Sequence, residues 1–165
     1  MAQANDQDMG GQPAPLRISR VFPARRETVF RAWSTAEHVK NWFSPETCSV
    51  SEAKVEFRVG GAFDVCMRLP DGTEHWSRGG FVEITPHTRL VIDINVTDGA
   101  GRKLFRAYTE VDFSDVPGGT RMDVVQTYTF VDPSMAAPMV AGAPEGWRTT
   151  LDKLERETAR MEAAI

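Results

Sequence analysis

Between Ser51 and Val131 the apolar residues recur at every second position, run after run, and each run is closed by a glycine or proline turn. Period two marks a strand with one face buried and the other in water. Ala53, Val55, Phe57 and Val59 alternate with Glu52, Lys54, Glu56 and Arg58 until Gly60-Gly61, which marks a bulge or sharp bend. Phe63, Val65, Met67 and Leu69 share the next face, and Pro70-Asp71-Gly72 turns the chain into Glu74–Ile84, with Val82 and Ile84 inward. Leu90, Ile92, Ile94 and Val96 form the following run, Lys103–Phe113 the next, and Thr120–Val131 the last, after Pro117-Gly118-Gly119. Six consecutive strands joined by turns this short pair as an antiparallel meander.

The flanks of the meander complete the fold class. Leu16, Ile18 and Phe22 make a short strand ending at Pro23. Ala24–Trp33 then places Val29, Phe30 and Trp33 at helical spacing, and a second short helix follows Thr35, a suitable N-cap, with Val39, Trp42 and Phe43 on one face. At the other end Trp147, Leu151, Leu154 and Met161 form one stripe of a long helix whose start Pro138, Gly142 and Pro144 leave open. The expected class is α+β: a curved antiparallel sheet of about seven strands wrapped around a long C-terminal helix, with two short helices after the first strand. One helix laid in a curved sheet cannot fill it, so a cavity between the two is expected.

Length and charge narrow the function classes. At 165 residues the chain has room for one domain, residues 16–165, and its Gln-, Ala-, Gly- and Pro-containing start, Met1–Pro15, reads as a disordered tail. A net charge of −4 with only four lysines gives no basic surface for nucleic acid. The tail lacks the basic and apolar regions of a signal peptide, and no run approaches a membrane span. Cys48 and Cys66 are the only cysteines and stand far apart, which suits a reduced, cytoplasmic protein rather than a secreted disulfide framework.

The order of pieces resembles the helix-grip fold of the START-like, or SRPBCC, superfamily, and within it the subfamily named after the C-terminal domain of the activator of heat-shock protein 90 ATPase. The resemblance rests on Arg20-Val21-Phe22-Pro23-Ala24, Val29-Phe30-Arg31-Ala32-Trp33, Trp42-Phe43-Ser44-Pro45 and Val59-Gly60-Gly61-Ala62-Phe63. It continues through Met67, Asp71-Gly72, Glu83-Ile84, Pro86, Arg89-Leu90, Phe113, Gly119-Thr120 and Gly146-Trp147 to Leu151 and Leu154. It implies a cavity that holds a hydrophobic or amphipathic small molecule, in a superfamily where some members are cyclases, aromatases or hydrolases and others only bind. The name-giving co-chaperone carries a separate N-terminal client-binding domain; this chain has a short tail in that place, so its co-chaperone function is not carried over.

The chemistry-bearing residues point the same way. His38, His75 and His87 lie on three elements with no metal-ligand spacing, so no metal or other cofactor is expected. Neither GxGxxG nor GxxxxGK[ST] nor GxSxG occurs, and a small strand thiol such as Cys66 is ordinarily inert. If Asp71-Gly72 centres an even hairpin, Met67 opposes Trp76 and Val65 opposes Arg78, which turns Arg78 inward, where a ligand anion would satisfy it. A one-residue bulge near Gly79-Gly80 would turn it outward. Gln126 and Tyr128 share a face with Met122 and Val124 and offer polar ends either to a ligand or to an internal hydrogen bond.

The expected binding site is therefore Trp42, Val65, Met67, Trp76, Arg78, Ile94, Gln126 and Tyr128, holding a small hydrophobic or amphipathic molecule in a monomer or homodimer with no catalytic residues. An enzyme using Tyr128, His75 or Glu83 as acid or base is the alternative, and a module that binds a chaperone or regulator the third reading.

Overall fold

A computed structural model of the chain describes residues 11–165. After β1 (Leu16–Phe22) come α1 (Arg26–Arg31) and α2 (Ala36–Trp42). The meander follows as β2 (Ser49–Val55), β3 (Ala62–Arg68), β4 (Glu74–Thr85), β5 (Arg89–Thr97), β6 (Lys103–Val116) and β7 (Gly119–Phe130). A 3₁₀ turn (Pro133–Met135) leads into α3 (Ala136–Ala141) and the long α4 (Ala143–Ala163). The strands form one antiparallel sheet in the order β1-β7-β6-β5-β4-β3-β2, so the first strand pairs with the last. No described helix is long and apolar enough to cross a membrane.

Local chemistry explains the helices. Thr35 caps α2 by accepting the His38 N–H at 3.2 Å, with Glu37 in the first turn and Lys40 in the last, each sign matched to the helix dipole. The stripe read from α4 is buried as expected: Trp147, Leu151, Leu154 and Met161 all face the core. Polar tethers hold the same helix. Arg20 meets Asp152 at 2.7 Å, Thr28 and Arg25 hold Glu162, and the Lys153 ammonium donates to Ser44 Oγ, Pro45 O and Cys48 O at 2.9–3.0 Å. Burial pushes the Lys153 pKa down, against the pull of Glu46 and Cys48.

Phe43 is edge-on to Trp42, Phe63, Trp33 and Trp147 and joins the short helices to the sheet and α4. Trp42 donates its indole N–H to Ala32 O at 3.0 Å, whereas buried Trp33 Nε1 has no partner among the described residues, and the Trp33 ring stands edge-on to Trp42.

Two sequence expectations are corrected here. β2 ends at Val55 because Glu56 folds back onto Ala62, through both its backbone and its carboxylate, which leaves Val59 61% exposed. In β4 the register shifts between Phe81 and Glu83; Val82 drops out of the ladder, 47% exposed, and Phe81 takes the core position. The expected tail over Met1–Pro15 lies outside the described residues for 1–10, but Gln12 is engaged: its amide donates to Phe130 O at 3.0 Å and accepts the Phe130 N–H at 2.6 Å.

A third correction decides the site. Leu69 N–H donates to Thr73 O and Gly72 N–H to Leu69 O, so the β3–β4 loop is the odd, three-residue Pro70-Asp71-Gly72 rather than a two-residue turn. Met67 consequently pairs with His75, Cys66 with Trp76, Val65 with Ser77 and Asp64 with Arg78. A one-residue slip moves every β4 side chain to the opposite face. The loop depends on Gly72, whose φ of +88° is one that L side chains rarely adopt. Gly72→Ala is expected to lower unfolding free energy by about 1–2 kcal/mol, and Gly72→Asn by less, because Asn tolerates this conformation better. Urea unfolding of the two variants checks the order.

Candidate functional site

Alternate residues of five strands point into one space: Met67 on β3 with Leu69 just beyond it, His75 and Ser77 on β4, Ile94 and Val96 on β5, Phe105 and Ala107 on β6, and Gln126 and Tyr128 on β7. Each pair is spaced by two, as the pleat requires. The roof comes from Met139 of α3, Gly142, and Ala143, Gly146, Trp147 and Thr150 of α4; the rim is Phe43, Ser44, Pro45 and Cys48. These groups enclose a pocket of about 590 Å3. The space persists because Ser77, Ala107, Ala143 and Gly146 put small side chains, or none, where sheet and helix face each other.

Of the residues expected from sequence, Met67, Ile94, Gln126 and Tyr128 line this pocket. Val65 and Trp42 are fully buried in the core but are not among its lining, since the aromatic cluster around Phe43 covers that end. Trp76 and Arg78 stand on the opposite face of the sheet, turned there by the three-residue loop. The exposed Arg78 guanidinium lies over the Trp76 ring, 4.1 Å from its centroid, and meets no pocket atom. The pairing of Arg78 with a ligand anion is thereby overturned. Ser77 and His75 occupy the inward places instead. An odd loop ending in glycine was the signal for them.

The polar groups of the wall differ in what they have left to offer. Gln126 is spoken for at both ends: Nε2 donates to Thr109 Oγ1 at 2.9 Å, and Oε1 accepts from Trp147 Nε1 at 3.1 Å. Its amide fastens α4 to the sheet, the internal hydrogen bond that sequence left as one of two options. The Tyr128 hydroxyl has no partner in hydrogen-bonding geometry among the described residues. Burial pushes its phenol up to about 12, opposed only by the nearby Trp147 N–H, so it remains a protonated donor at neutral pH. Val96 and Phe105 were legible in the strand alternation, but nothing local in the sequence marks Ala107 or the roof glycines.

For acid–base chemistry, Glu83 lies away from the pocket and pairs with Arg89 at 3.3 Å. His75 and Tyr128 both reach the wall, with two strands between theirs. Among the described residues no three His, Cys, Asp or Glu side chains gather as metal ligands.

Comparison with known proteins places this arrangement. Residues 23–159 match the family described as activator of Hsp90 ATPase homolog 1-like protein. A comparison with curated proteins yields no match. Among solved structures, a protein from Rhizobium leguminosarum is similar at 29% identity and a TM-score of 0.77, over 89% of this chain and 95% of that one. A protein from Nitrosomonas europaea is similar at 26% identity and 0.76, over 91% and 97%. An AHSA1 protein from Silicibacter pomeroyi, 22% identical with a TM-score of 0.73 over 90% and 99%, shares the fold.

Proposed function

We propose that this chain, which belongs to the activator of Hsp90 ATPase homolog 1-like family, binds a small hydrophobic or amphipathic molecule in the pocket between sheet and α4, without chemistry of its own. The observation that carries this reading is the pocket itself: about 590 Å3, within the range of roughly 300–1,000 Å3 typical of small-molecule sites, and lined mainly by apolar side chains. START-type folds commonly bind hydrophobic ligands, which agrees with it. The separation of His75 from Tyr128 across the sheet supports binding over catalysis, since acid–base work needs its groups within reach of one reacting atom. Two free thiols, Cys48 and Cys66, favour a reducing, cytoplasmic setting.

The test uses N-phenyl-1-naphthylamine, an uncharged dye that brightens in apolar surroundings. Its fluorescence is expected to rise and saturate with the native protein. Ala107→Phe, which grows into the pocket from β6, should abolish the rise while leaving the circular dichroism spectrum unchanged. Saturable binding that survives Ala107→Phe, or none in the native protein, refutes the reading.

A further inference from the structure

We propose that the pocket selects uncharged ligands that offer a hydrogen-bond acceptor to the Tyr128 hydroxyl, and discriminates against carboxylates. This rests on the pocket being a ligand site, and adds the chemical class it takes.

Charge comes first. No lining side chain is a carboxylate, ammonium or guanidinium, and Arg78, the cation that would have neutralised a ligand anion, is on the far face of the sheet. Lys153 stands behind the rim, but an ammonium has three protons, and those of Lys153 are directed to Ser44 Oγ, Pro45 O and Cys48 O. None is left for a ligand. The one basic side chain on the wall is His75, beside the β3–β4 loop and across β5 and β6 from the Tyr128 strand. A carboxylate entering such a space would surrender its hydration without an opposite charge, which costs far more than a single neutral hydrogen bond returns.

Hydrogen bonding then picks the acceptor. Gln126 is engaged at both ends, Thr150 Oγ1 donates to Gly146 O at 2.7 Å, and the Ser77 hydroxyl and His75 ring stand on β4, with two strands between them and Tyr128. Tyr128 is 5% exposed, lines the pocket, and has no acceptor among the described residues. Its hydroxyl opens onto the pocket, so its proton is free for an acceptor that a guest brings. Phe105, edge-on with its centroid 5.8 Å from that of Tyr128, flanks the hydroxyl with an aromatic surface suited to a planar apolar body. The raised phenol pKa keeps the proton in place throughout the neutral range.

Three probes of one shape, measured in one buffer, separate the possibilities: naphthalene, 2-acetylnaphthalene and 2-naphthoate, each displacing N-phenyl-1-naphthylamine. The ketone is expected to bind about five- to tenfold tighter than naphthalene, and the carboxylate at least about tenfold weaker than the ketone. Tyr128→Phe should erase the ketone's advantage over naphthalene while leaving naphthalene itself unchanged; Arg78→Met should alter none of the three. Naphthoate binding as tightly as the ketone overturns the selectivity and leaves the pocket reading standing, as does a ketone advantage that survives Tyr128→Phe. If neither naphthalene nor the ketone binds, the pocket reading falls and the selectivity with it.

Discussion

Leu154→Ala is expected to lower the free energy of unfolding by about 2–5 kcal/mol, the cost of removing a fully enclosed leucine and leaving a hole behind. Leu154 is completely buried at the middle of α4, the only long helix among the described residues to cover the concave side of the sheet. Its neighbours are themselves tied down by the Arg20–Asp152 and Lys153 contacts, so the helix is poorly placed to collapse into the vacancy. Two residues on, Arg156 is 64% exposed and meets Glu46 at 3.3 Å on the surface. Arg156→Ala should stay within about 0.5 kcal/mol, since exposed ion pairs contribute little. Urea unfolding of both variants makes the comparison, with Leu154→Met as a volume-conserving control that should cost less than about 1.5 kcal/mol. Equal losses for Leu154→Ala and Arg156→Ala would mean that α4 presents a different face to the sheet.

A second large effect is expected where α2 meets α4. Glu157 is buried, yet its carboxylate accepts from His38 Nδ1 at 2.8 Å, Asn41 Nδ2 at 3.1 Å and both Nε and Nη2 of Arg160. Burial alone would push this carboxyl up; the hydrogen bonds from Arg160, His38 and Asn41 outweigh it and hold the group below the usual glutamate range. Removing both His38 and Arg160 as alanines leaves a buried charge with one amide, which should cost about 3–5 kcal/mol. Adding Glu157→Leu to that pair should restore more than half of the loss, because the uncompensated charge is then gone. Failure of the third substitution to rescue would assign the loss to packing instead.

The same group has a pH signature. Its pKa is lower folded than unfolded, so its contribution to stability is complete above the ordinary glutamate value of about 4.5 and is lost as pH falls below it toward the depressed folded value. Glu157→Gln should therefore flatten the fall in stability below about pH 4.5. An unchanged acid limb counts against the assignment.

Much of the architecture is legible along the chain. The alternation of Leu90, Ile92, Ile94 and Val96, and of Met122, Val124, Gln126 and Tyr128, specifies strands and their inward faces, because burying one side of a pleated strand demands it. The stripe Trp147, Leu151, Leu154 and Met161 specifies the covering helix for the same reason at a different period. Thr35 announces the start of α2 through its hydroxyl. β4 carries no such instruction near its beginning: His75-Trp76-Ser77-Arg78 places a polar or amphipathic side chain at each position, so neither face declares itself. One residue in the Pro70-Asp71-Gly72 loop settles the matter, and with it which of Arg78 and Ser77 meets the pocket. The partners of Gln126 were equally hidden, for Thr109 lies across a strand pair and Trp147 on a helix that arrives 21 residues later. Periodic burial is a local property and was written in the sequence; register and the pairing of buried polar groups depend on which atoms the closed sheet and its helix bring within about 3 Å, and only the tertiary structure decides that.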